Sequence, residues 1–216
     1  MNNVVLRAKG INRQFMLPSG QYLSVIKDLN LELLEGESVS IIGSSGCGKT
    51  TLLHILGGIE TIDSGTIDPL PSDTWRPGIV FQHHYLMAEL SAIENVALAG
   101  RIAGQTKQES FSSSKEILFD LGLGERLDHM PNELSGGEMA RVAIARALVM
   151  KPELVLADEP TGDLDEERSR DIQEVLFDAV RKYAKALLIV THDLSLARKA
   201  DRCLKLEKGT ILSASG

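Results

Sequence analysis

Apolar positions change their spacing repeatedly along the chain, and each change marks a different element. Residues 4–8 and 29–34 alternate or run apolar and are broken by Pro18-Ser19-Gly20 and Glu35-Gly36, so the first 42 residues are expected to be β-rich. Val39-Ser40-Ile41-Ile42 predicts a buried strand, and Leu52-Leu53-His54-Ile55-Leu56 predicts a helix behind a glycine-rich turn. Ser64-Gly65-Thr66-Ile67 predicts a turn and a strand. Residues 68–78, with three prolines, predict a loop, and Ile79-Val80-Phe81 a short buried strand ending at Gln82. Residues 91–98 and 115–121 carry apolar side chains at helical spacing. Residues 105–114 are polar and serine-rich, a loop or a solvated helix start, and 122–131 are polar again. Ser135 and Glu138 fit a capping box that opens a helix running through 149. In the last third, strands over 154–157 and 186–190 alternate with helices over 166–182 and 193–199. A hairpin around Lys208-Gly209 follows. Alternating strands and helices predict an α/β fold, a parallel sheet flanked by helices.

Composition narrows the class. The 216 residues are 43% hydrophobic and 25% charged, enough for one sizeable core with room for a second small lobe. A net charge of −7 and a pI of about 5.3 argue against non-specific binding of nucleic acid, which needs basic patches. Cys47 and Cys203 provide neither a disulfide framework nor a metal-ligand spacing, which suits a reducing compartment. The first seven residues lack the basic and apolar regions of a signal peptide, and no apolar run approaches the ~18 residues of a membrane span. A globular protein of the cytosol is expected. The adjacent His83 and His84 point to opposite sides of a strand and do not face one another on a helix, which disfavours a metal site there.

Candidate chemistry concentrates in Gly43-Ser44-Ser45-Gly46-Cys47-Gly48-Lys49-Thr50-Thr51, which fits the phosphate-loop pattern G-x-x-x-x-G-K-[ST] between a predicted strand and a predicted helix. Glycines there let backbone N–H groups curl around phosphate oxygens, and the helix adds its own free N–H groups and the positive end of its dipole. Lys49 is expected to reach the β- and γ-phosphates of ATP, and the Thr50 hydroxyl to sit on Mg2+. In parallel sheets, ligands bind at the carboxyl ends of the strands. Four apolar strands here end in polar groups: the phosphate loop from Gly43, Gln82, Asp158-Glu159 and His192. If the strands are neighbours, all four converge on one nucleotide. Asp158 then holds Mg2+ through water, and Glu159 orients and polarises the attacking water. His192 is suited to donate to the γ-phosphate, and Gln82 to give an amide oxygen to Mg2+ or the water.

Together with Leu134-Ser135-Gly136-Gly137-Glu138 and Asp163-Leu164-Asp165, these motifs stand in the order found in the ATPase subunits of ABC transporters, which the whole chain resembles. The resemblance implies a phosphate-loop NTPase core with a parallel sheet, an antiparallel β lobe and a helical lobe. The core and β lobe are expected at 1–82 and 151–216, and the helical lobe at 83–150. It implies ATP hydrolysis with Mg2+ and a head-to-tail homodimer in which Ser135, Gly136 and Gly137 bind the γ-phosphate held by the second copy. It also counts Glu138 and Asp165 among the nucleotide-binding positions. Phe15 matches the family's adenine-stacking aromatic residue, with Tyr22 as the competing candidate. The run from Leu156 to Asp165 resembles most the ATPases of lipoprotein-releasing, macrolide-export and cell-division complexes. Such subunits lie on the cytoplasmic face of the membrane and drive a separate permease, which is expected to dock on the helical lobe and the loop after Gln82.

The chain departs from the pattern at Glu138, where many members have Gln, at Met139-Ala140, and in a shortened stretch between Thr66 and Ile79. Two other functions compete with transport. A regulator that signals through a membrane-bound partner shares every motif. A soluble ATPase acting on DNA or ribosomes is disfavoured by the acidic balance and by the lack of coiled-coil or zinc insertions.

Overall fold

The computed structural model describes residues 3–69, 76–184 and 186–213. The chain order is β1 (Val4–Met16), β2 (Tyr22–Leu34), β3 (Ser38–Ile42), α1 (Lys49–Leu56), β4 (Ser64–Asp68), β5 (Gly78–Val80), α2 (Ala92–Ile102), α3 (Lys107–Asp120), α4 (Gly136–Leu148), β6 (Leu154–Asp158), α5 (Glu166–Tyr183), β7 (Ala186–Thr191), α6 (Leu194–Ala197), β8 (Arg202–Glu207) and β9 (Thr210–Ser213). Two compact units result: Met1–Arg76 with Leu156–Asp158 and Lys185–Gly216, and Pro77–Val155 with Glu159–Ala184. The centre of the proline-containing loop, residues 70–75, lies outside the described residues.

The first unit holds an antiparallel sheet in the order β2-β1-β4 and the strand row β6-β7-β3-β8-β9. The parallel pairing expected from the strand–helix alternation is present: β3 runs parallel to both β7 and β8, and β9 closes antiparallel on β8. All six residues of β7 are buried. A continuous apolar run of this kind belongs to a strand covered on both faces. In α1, Leu52, Leu53, Ile55 and Leu56 are fully buried. Each is worth about 1.5–3 kcal/mol relative to exposure, which anchors a helix of only two turns. The β1–β2 ladder runs from Val4↔Leu34 to Met16↔Tyr22, so both strands are far longer than 4–8 and 29–34. Its register shifts, one of them at Arg13/Gln14, break the alternation that would have revealed that length.

The second unit packs α2, α3, α4 and α5 with β5 and the start of β6. Ser91, Thr106 and Ser135 each close a capping box with the glutamate three residues on. The serine-rich stretch belongs to α3, which starts at Lys107. Ser110 and Ser114 are fully buried there, donating their hydroxyls to the Ala97 and Ser110 carbonyls. Small hydroxyls satisfied by backbone let this one face approach its neighbours, while Lys107, Gln108, Glu109 and Ser112 stay exposed. The segment is therefore the solvated helix start, one of the two forms expected. Phe81 lies just past β5, and α6 is one turn, shorter than 193–199.

Candidate functional site

Three of the four predicted strand endings come together in the first unit. Ile42, the last residue of β3, pairs with Thr191, the last residue of β7, so the phosphate loop and His192 leave adjacent strands at one edge. β6 lies on the other side of β7 and ends at Asp158, which is 8% exposed. The loop itself is tightly built. A Cβ at Gly43 would sit 2.6 Å from Cys47 Sγ and 2.6 Å from the Leu206 carbonyl, and Gly48 turns into α1 at φ +107°. Side chains do not cap α1, so its first N–H groups face the loop. Lys49 is buried to 8% exposure, with Nζ donating to the Gly43 carbonyl at 2.9 Å and the Ser44 carbonyl at 3.4 Å. Thr50 is exposed on the first turn of α1. Uncapped N–H groups, one cation drawn back over the loop and a backbone with no room for a side chain at Gly43 make a cradle that fits a polyphosphate.

On the antiparallel sheet, Phe15 pairs with Leu23 and the exposed Tyr22 with Met16, so both aromatic candidates sit at the turn end of one hairpin. Near that end, β2 has an unpaired residue, Val25, opposite the Arg13/Gln14 step. A Cβ at Gly48 would meet Val25 Cγ1 at 3.0 Å and its carbonyl at 3.1 Å. The hairpin therefore packs directly on the glycine that starts α1.

The second unit carries the remaining candidates and links several of them. Gln82 Nε2 donates to Asp163 Oδ1 at 3.1 Å, and His83 Nδ1 lies 2.8 Å from Asp163 Oδ2. These contacts, Gln82 first, hold the Asp163 carboxyl below its usual range. A carboxylate only accepts, so the Gln82 amide turns its nitrogen to Asp163 and leaves Oε1 for other partners. Leu164, next in the chain, comes within 3.1 Å of where a Cβ on Gly136 would sit. Gln82, the 163–165 segment and the start of α4 thus form one contact chain. Glu159 adopts φ +44°, a left-handed backbone that is costly for a non-glycine residue and concentrates at functional sites.

At the start of α4, Ser135 N donates to Glu138 Oε2 at 2.8 Å and Glu138 N to Ser135 Oγ at 3.3 Å, while Arg126 Nε reaches Glu138 Oε1 at 2.8 Å. The Ser135 N–H, then the Ser135 hydroxyl, then Arg126 hold the Glu138 carboxyl at about 2. Asp165 caps α5, accepting from Arg168 N at 3.0 Å. The loop after Gln82 is clamped from two helices. Arg146 of α4 donates to the carbonyls of His84 and Tyr85, and Asn95 of α2 bonds Met87 N, Met87 O and Leu90 O. Burial holds the His84 imidazole below its usual range, against the opposing pull of Asp163. Tyr85 and Met87 remain exposed. Sequence reasoning names Asp163 as part of a motif but misses its contacts to Gln82 and His83, and it misses the clamp formed by Arg146 and Asn95. Asp163 lies 81 residues from Gln82, a separation that carries no local signal.

Residues 26–162 match the family model described as ABC transporter. The chain belongs to the ABC transporter family. It is 40% identical to the lipoprotein-releasing system ATP-binding protein LolD of Idiomarina loihiensis, over all of both chains. It is 41% identical to LolD of Treponema denticola over 98% of this chain and 99% of that one. Among solved structures it is similar to the dimeric ATP-binding cassette MJ0796 in a post-hydrolysis state bound to ADP and Pi, with 31% identity and a TM-score of 0.83. That match covers 98% of this chain and all of the other. The ABC ATPase fold, and an ATP-binding and hydrolysing subunit of a transporter complex, both expected above, are borne out. No helix among the described residues is long and apolar enough to cross a membrane.

Proposed function

We propose that the chain hydrolyses ATP to drive a lipoprotein-releasing permease from the cytoplasmic face of a membrane; its LolD relatives are named as ATP-binding proteins of lipoprotein-releasing systems. The observation that carries the nucleotide chemistry is the shared edge of β3, β7 and β6, where the phosphate loop, His192 and Asp158 emerge together. Residues 43–51 hold the triphosphate, with Lys49 swinging from the loop carbonyls to the β- and γ-phosphate oxygens. Thr50 and Asp158 offer the hard oxygen ligands that Mg2+ prefers, and Gln82 adds its Oε1. Bound there, Mg2+ neutralises charge that builds on the phosphate oxygens. Glu159 accepts the proton of the attacking water as the water oxygen bonds to the γ-phosphorus and the bond to the ADP oxygen breaks. His192 donates to a γ-phosphate oxygen. Phe15 stacks on adenine.

Ser135, Gly136 and Gly137 bind the γ-phosphate held by a second copy in a head-to-tail dimer, with Glu138 fixing the serine and Asp165 capping the helix behind it. The contact chain Gly136–Leu164–Asp163–Gln82 supports a linkage between that trans contact and Gln82. The helical segment 83–150 and the loop after Gln82 meet the permease, with Tyr85 and Met87 as apolar contacts. The test is co-purification of tagged Glu159→Gln from detergent-solubilised membranes with ATP, read by mass spectrometry. A stoichiometric permease with a large extracytoplasmic domain supports the reading, and recovery only from the soluble fraction refutes it. A permease that passes its signal to an enzyme outside, with no lipoprotein released, would establish the regulatory alternative.

A further inference from the structure

The hairpin that carries Phe15 also carries a cation with no part in the phosphate chemistry. Arg13 lies two residues before Phe15 on β1, on the same face of the strand. Its guanidinium carbon is 4.6 Å from the centroid of the Phe15 ring. Nη1 donates to Asp63 at 2.8 Å and Nη2 to Glu60 at 2.9 Å, leaving the side chain 18% exposed. The second oxygen of Asp63 accepts from the Gln14 backbone N–H at 2.7 Å. One carboxylate therefore fixes both the cation and the peptide between cation and ring. Arg13 Nε is buried without a partner, a cost the chain bears to keep the guanidinium on this ring.

The two acids belong to the segment that leaves α1. The N–H of Glu60 bonds back to the His54 carbonyl at 3.1 Å, and that of Asp63 bonds to Asn12 at 2.9 Å. The ring is thus tied, through Arg13 and two carboxylates, to the far end of the helix that the phosphate loop opens into. A cation held by two acids cannot swing away, so it stays over one face of the ring. A ring ordered before binding loses less freedom when the base arrives.

We infer that Arg13, held by Glu60 and Asp63, is a positioning residue that sets the Phe15 ring for the adenine of ATP. This rests on the reading of Phe15 as the adenine platform. The test measures binding of ATP and of inorganic triphosphate, which has no base, to the full chain and to Phe15→Ala, Arg13→Gln and the double variant. Phe15→Ala is expected to weaken ATP binding about tenfold. Arg13→Gln is expected to weaken it about two- to fivefold, the span of an exposed to partly buried cation–π contact. Neither should change triphosphate binding, and Arg13→Gln should add nothing once Phe15 is Ala.

Arg13→Lys keeps the charge but not the two-pronged grip, and is measured beside Arg13→Gln in case the latter fails to fold. It should lose ATP affinity in the same sense by a smaller factor. If Phe15→Ala weakens ATP binding while neither Arg13 variant does, the inference is overturned and the adenine platform stands. Equal loss of ATP and triphosphate binding in the Arg13 variants would make Arg13 a general structural residue and also overturn it. Unchanged ATP binding in Phe15→Ala would overturn the platform and the inference together.

Discussion

Replacing Gly43 by alanine isolates how tightly the phosphate loop is built. The added Cβ would stand 2.6 Å from Cys47 Sγ and 2.6 Å from the Leu206 carbonyl, each 0.8 Å inside the 3.4 Å at which ordinary contact begins. The sulfur can rotate away. The carbonyl cannot, because Leu206 is locked in β8, paired with Ile211 of β9. Relief must come from the loop, and over-packing of this kind costs about 1–3 kcal/mol. For a chain of this length each kcal/mol lowers Tm by about 2–4 °C, so a fall of about 4–8 °C is expected at the middle of that range. The Gly43 carbonyl also holds Lys49 Nζ at 2.9 Å, so a loop pushed aside misplaces the lysine. A misplacement near 1 Å costs up to about 100-fold in turnover.

The assay is thermal unfolding by circular dichroism with ATPase rates on the same samples. Two controls sharpen it. Cys47→Ala in the Gly43→Ala background should recover part of the loss, since it removes one of the two clashes. Gly46→Ala, where a Cβ meets nothing within 4 Å but φ is +75°, should cost only the left-handed backbone penalty of about 1–2 kcal/mol. A Gly43→Ala protein that melts within 1 °C of wild type, on the scale set above, and turns over normally would refute the crowding argument.

Two further outcomes follow from the second unit. Ser135→Arg removes the cap of α4 and fills the serine position with a bulky cation. ATP binding to the monomer should persist while ATP-driven dimerisation disappears, read by light scattering, and normal dimerisation would contradict the trans contact. Glu138 gives a pH signature. Its folded carboxyl sits at about 2, below the unfolded value of 4.5, so the unfolded chain takes up the proton first. The stabilisation is complete above pH 4.5 and drains as pH falls toward 2. Wild type should exceed Glu138→Ala by about 1 kcal/mol at pH 7, the worth of a helix cap. That gap in Tm should narrow below pH 4.5, and a gap that widens in acid would be the opposite result.

What the sequence made legible was local. The phosphate loop, the Ser135–Glu138 cap and the apolar strands β3, β6 and β7 each rest on spacings of a few residues, and all stand where expected. The same cap spacing at Ser91–Glu94 and Thr106–Glu109 was equally available and marks the true starts of α2 and α3. The long β1–β2 hairpin was hidden because its bulges interrupt alternation. For residues 105–114 composition leaves both a loop and a solvated helix start open, and the helix start is what forms, with Ser110 and Ser114 on its buried face satisfied by carbonyls. At the site, the Asp163 contacts to Gln82 and His83 arise from chain folding alone. Arg13 stacking on Phe15 had a signal, two residues apart on one strand face.

The most direct test of ATP hydrolysis through the carboxylate that follows β6 is Glu159→Gln. Glutamine keeps the shape and the backbone position at φ +44° but cannot accept the proton of the water. ATP affinity should be unchanged, turnover should fall by about 100-fold or more, and ATP should drive the protein into a stable dimer. A variant that hydrolyses ATP at the wild-type rate and stays monomeric would contradict the role given to Glu159 and the dimer built on it.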